Sequence, residues 1–151
     1  MSEKGIHAQL VLQLYDLRRE PEMRKARTWC LTQFWPNNAD DFVKVAQALG
    51  APENAWLRQV SSYWGMAAAL VLHGSINPEL FLQPSISGEM IFLFAKIHPF
   101  LKEIREKMGD PEMFGNIEKV ITNSTFGRQR LELTLKRVLT LRDRQAAAKS
   151  N

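Results

Sequence analysis

Four of the seven prolines are followed directly by glutamate, at Pro21-Glu22, Pro52-Glu53, Pro78-Glu79 and Pro111-Glu112. Proline suits the first position of a helix, where its missing N–H has no partner to lose, and a carboxylate in the first turn complements the helix dipole. Each pair therefore predicts a helix start, with Asn77 and Asp110 as N-caps for two of them. Gly50, Gly74 and Gly109 stand where a left-handed residue would end a helix before the next start. The pairs lie 31, 26 and 33 residues apart, but the spacing varies and the residues that follow do not match beyond Met23 and Met113, so no internal repeat is read from them.

Between these marks the apolar residues recur at helical spacing, and no segment alternates as a strand would. Helix one, about Ile6 to Arg19, presents Leu10, Leu14 and Leu17. Helix two, about Pro21 to Trp35, lines up Met23, Ala26, Cys30 and Phe34. A short helix from Asp40 or Asp41 turns Phe42, Val45, Ala46 and Leu49 inward. The fourth, Pro52 to His73, aligns Trp56, Val60, Trp64, Ala67 and Val71 and is apolar all round from Tyr63, as a central helix would be. A short helix begins at Pro78. The next runs from about Ser87 to Met108, with a kink expected near His98 because Pro99 interrupts it. Pro111 to Thr122 and a long helix to about Ala147 complete the chain. The expected fold is all-α: a single compact multi-helix bundle over residues 1–151 with a buried central helix, a long basic C-terminal helix, and frayed last residues Lys149 to Asn151.

A chain of 151 residues buries enough surface to fold without a disulfide or metal. The single cysteine, Cys30, and the polar start Met1-Ser2-Glu3-Lys4 point to a reducing compartment, so the expected location is cytoplasmic. Gln59 to Pro78 is uncharged, but its apolar stretch from Tyr63 to Leu72 is too short to span a bilayer, and no membrane span is expected. His7, His73 and His98 have no second ligand at helical spacing, and no phosphate-binding loop is present. The expectation is no catalytic residue, no metal and no cofactor. Cys30, within an apolar stripe, reads as a small hydrophobe. Trp56 and Trp64 read as core, whereas Trp29 and Trp35 lie off the main face of helix two and are the tryptophans open to solvent.

Two patterns remain as candidate contacts. Ser61, Gly65 and Ala69 form a seam of small residues on helix four that admits another helix closely, first an internal one and alternatively that of a second subunit. Arg130, Arg137 and Arg144, spaced by seven, form a guanidinium stripe suited to phosphates or an acidic surface, or simply to solvent. From Ser124 onward seven basic residues face two acidic ones, so this helix carries +5 and the remainder −1.

Pro21-Glu22-Met23-Arg24-Lys25-Ala26-Arg27 with Trp29, His73-Gly74-Ser75-Ile76 with Glu79-Leu80, and His98-Pro99-Phe100 together resemble an uncharacterised bacterial helical family, domain of unknown function 4760. The resemblance covers about two thirds of the chain. It implies a compact helical domain and no known activity. The functional expectation is a non-enzymatic helical binding module, self-associating or binding another protein. The alternative is nucleic-acid or other polyanion binding through the last helix, and an enzyme without a sequence motif comes third.

Overall fold

The computed structural model describes residues 2–151, and among these no strand is present. The helices are α1 (Glu3–Leu17), α2 (Pro21–Thr32), α3 (Ala39–Gln47), α4 (Pro52–Leu72), α5 (Pro78–Phe81), α6 (Pro84–Ile97), α7 (Leu101–Met108), α8 (Gly115–Thr122) and α9 (Thr125–Ser150). A 3₁₀ turn, His98–Phe100, separates α6 from α7. That break follows from Pro99, which cannot donate to the carbonyl four residues earlier. One residue after the Ala95 carbonyl that Pro99 leaves without its helical donor, the Lys96 carbonyl accepts from Arg142 of α9 at 3.1 Å, and the Arg142 guanidinium lies over the Phe100 ring.

Proline opens α2, α4 and α5 as expected, and also α6 at Pro84 rather than Ser87. Side-chain caps from Ser2, Glu20, Asn38, Asn77 and Ser124 accept first-turn amides at 2.8–3.1 Å. Such a cap stabilises a helix by about 1 kcal/mol. Gly50, Gly74 and Gly109 all adopt positive φ. Pro111-Glu112 does not start a helix. Asp110 Oδ1 accepts the Glu112 amide at 3.0 Å, and this local turn competes with helix, so α8 begins only at Gly115 after Phe114 in left-handed backbone at φ 59°. At the other end, α9 runs on to Ser150.

The core is centred on α6, in which every residue from Leu93 to Ile97 is buried. Helix α4 is buried along one side, through residues such as Leu57, Val60, Trp64 and Val71; Trp56 is only half-buried, and Met66 and Leu72 are exposed. It is thus not covered all round. Helices α2 and α8 pack along α4, α3 packs on α4 and α7, and α9 covers α6 and α8. Three other expectations fail. Trp29 is buried, stacked 4.9 Å from Phe34 and tilted against Trp56, because α2 buries a wider arc than one stripe. Leu49 is 80% exposed, since α3 ends at Gln47 before its next turn can bring that residue inward. Leu17, at the last position of α1, is also exposed, leaving Leu14 as the buried residue of that helix.

Candidate functional site

Two networks of buried polar groups serve packing around α6. Glu89 of α6 receives Arg27 of α2 at 2.9 Å and the indole N–H of Trp64 of α4 at 3.4 Å, joining three helices through one carboxylate. Arg18, after α1, lies over the Tyr15 and Trp64 rings and donates to the Ile86 carbonyl at 3.4 Å. The Tyr63 hydroxyl donates to the Leu14 carbonyl, and burial pushes its phenol up to about 12. Lys96 is wholly enclosed. Its ammonium donates to the carbonyls of Cys30 and Phe34 at the end of α2 and sits 3.9 Å from the Trp35 ring centre and 4.7 Å from that of Phe92. It satisfies carbonyls that the helix end leaves open, with aromatic faces for the remaining charge. Burial lowers its pKa to about 8 and raises that of the adjacent Cys30 thiol to about 12. A thiol of that kind is no nucleophile at neutral pH.

The small-residue seam lies elsewhere, on the open side of α4. Ser61 and Gly65 are half-buried and Ala69 is exposed. A Cβ added at Gly65 would meet nothing within 4 Å, so no helix backbone approaches closely at that residue. Close backbone approach occurs instead at Gly127, where a Cβ would fall 2.0 Å from the Ile121 carbonyl oxygen. That glycine lets α9 turn tightly back over α8.

At one end the seam opens into a cleft of about 580 Å³ between α4 and the α7–α8 corner. Ser61, Ser62 and Gly65 form part of its lining, with Phe42, Leu57, Met108, Met113, Phe114 and Ile117 as apolar walls and Arg58, Glu112 and Asn116 as polar neighbours. Phe114 holds its ring edge-on to Phe42, centroids 5.8 Å apart, which fixes the corner. Periodicity could not reveal this cleft, because its walls come from four separate elements.

The guanidinium stripe divides. Arg137 and Arg144 are exposed, and neither forms an ion pair among the described residues, whereas Arg130 is half-buried with its Nε enclosed and unpartnered. Outside the stripe, Arg142 ties α9 to α6 and Arg128 ties it to the Thr122 carbonyl at the end of α8. Among the described residues no group of three histidine, cysteine or acidic side chains converges to hold a metal ion. No helix there is long and apolar enough to cross a membrane.

The residues that carried the family resemblance have structural tasks. Met23 and Ala26 are core, Arg27 pairs with Glu89, Gly74 ends the α4 turn at φ 90°, Ile76 is fully buried, and His98-Pro99-Phe100 forms the kink. No curated protein matches the chain. No solved structure matches it either. The family model described as "Domain of unknown function (DUF4760)" matches residues 5–124, from α1 through α8, and the chain belongs to that family.

Proposed function

We propose that this domain is a non-enzymatic interaction module that pairs with a second copy of itself through the outer face of α4. The observation that carries the reading is the uncovered seam. Open space above Gly65 and the exposed Ala69 leave room for a helix that this chain does not supply, with half-buried Ser61 at the cleft end of the seam and exposed Met66 and Leu72 flanking it. The chain is charge-free from Gln59 to Pro78, so two α4 faces meeting about a two-fold axis bring no like charges together, although each copy carries +4. Small side chains let the helix axes approach to the short end of the usual ~8–10 Å range, and burial of Met66 and Leu72 supplies apolar area.

Light scattering across micromolar concentrations tests this. A dimer mass is expected, falling to the monomer mass in Gly65→Glu/Ala69→Glu at unchanged helix content. A monomer at every concentration refutes it. The alternative, polyanion binding, is supported by the exposed and unpaired Arg137 and Arg144 on a helix of net +5. Under that reading labelled nucleic acid binds with steep salt dependence, flattened by glutamine at Arg130, Arg137 and Arg144.

A further inference from the structure

The cleft beside α8 combines apolar walls with donors that have no acceptor among the described residues. Helix α8 starts without a side-chain cap, and the amides of Asn116 and Ile117 meet no acceptor among the described residues. Both residues line the cleft. First-turn amides and the helix dipole together favour an anion at such an end. Two independent side chains address the same space. Arg58 is tethered by its Nε to Asn54 Oδ1 at 3.0 Å, which leaves its two terminal amino groups without a hydrogen bond. Ser61 has its Oγ buried and unpartnered in the cleft wall. The chain's own carboxylate leans over this turn: Glu112 Oε2 lies 3.2 Å from where a Gly115 Cβ would be, yet makes no hydrogen bond to the free amides.

We infer that this cleft binds a small apolar carboxylate, its hydrocarbon among Phe42, Leu57, Met108 and Ile117 and its head between Arg58 and the first turn of α8. The volume of about 580 Å³ falls within the range of small-molecule sites. A carboxylate accepts from both the amides and the guanidinium, whereas a neutral head satisfies neither as well. Glu112 is the local opponent of an anion. It is an exposed residue, and its repulsion is removed in Glu112→Gln.

The test uses the full chain with decanoate as the probe and decanol as its uncharged counterpart, followed by amide NMR shifts and calorimetry. Decanoate is expected to shift the Gly115, Asn116 and Ile117 amides and to bind about tenfold more tightly than decanol, the size of one charge-assisted hydrogen bond. Arg58→Gln should weaken decanoate about tenfold without changing decanol, and Glu112→Gln should strengthen decanoate. Both positions are exposed, and because Arg58 Nε is the donor to buried Asn54 Oδ1, circular dichroism and a thermal melt verify that Arg58→Gln is folded before binding is compared. Ser61→Leu should abolish binding of both probes by filling the wall. Equal affinity for the two probes, no response to either charge substitution, or shifts confined to other amides overturns the inference.

Discussion

Lys96 carries an ammonium into a place where no carboxylate pairs with it among the described residues, and the consequence is a measurable dependence of stability on pH. Its pKa falls from the ordinary 10.5 to about 8 on folding because burial penalises the charged form. Between these values the unfolded state binds more protons than the folded one, so stability rises with pH. Cys30 acts in the opposite sense. Its thiol goes from an ordinary 9.0 to about 12, so once the unfolded thiol ionises near pH 9 the folded state binds more protons and stability falls. Tyr63 joins that opposing effect only above its ordinary value of 10.0. The expected profile from urea titrations is a rise of roughly half a kcal/mol between pH 8 and 9, then a plateau. Cys30→Ser should extend the rise to about 1 kcal/mol over that unit and carry it on toward pH 10, while Lys96→Met should leave only the decline. A flat profile in the parent chain would show that Lys96 does not titrate in this window.

At the scale of the helices, two glycines make opposite predictions from the same substitution. Gly127→Ala drives a Cβ against the Ile121 carbonyl and should cost about 1–3 kcal/mol by forcing α9 away from α8. Gly65→Ala places a Cβ in open space within α4 and should stabilise the monomer by about 1 kcal/mol through helix propensity. For a chain of this size each kcal/mol moves Tm by about 2–4 °C, so thermal melts separate the two. Sequence marks located α2, α4, α5 and the Pro99 kink because proline acts locally, through a missing donor and a fixed φ. They failed at Pro111, where Asp110 captured the Glu112 amide first, and at Trp29, because a single stripe of spacing understates a helix packed against several neighbours. Lys96 was visible only as one charge inside the run from Met90 to Leu101. Its partners are carbonyls, and carbonyls leave no mark in a sequence. The cleft was illegible for a related reason: Phe42, Leu57, Met108 and Phe114 meet through tertiary packing alone. The seam was found as a pattern, but whether a helix covers it depends on the placement of every other helix.

Across the whole molecule, the family match ends at residue 124, one residue before α9 begins, yet α9 covers both α6 and α8 and returns Arg142 to the kink. The bundle of this chain is closed by a helix outside the matched region, and the basic excess of the sequence is carried on that closing element. Helix α2 is tied to α6 from the opposite direction, through Arg27 to Glu89 and through Lys96 to the Cys30 and Phe34 carbonyls. The sole cysteine lies beneath this junction, 1% exposed. It therefore serves as a built-in clock for the junction's opening: a thiol reagent such as DTNB can react only when α2 lifts from α6. At pH 8 labelling should be far slower in the folded chain than in urea. Arg27→Gln, which leaves Glu89 enclosed without its partner, should accelerate it by at least about tenfold, whereas Arg137→Gln on the solvent side of α9 should leave it unchanged. Labelling at the urea rate under native conditions would mean that the junction is not closed. In one buried sulfur the chain thus carries a reaction whose rate reports how often its interior opens.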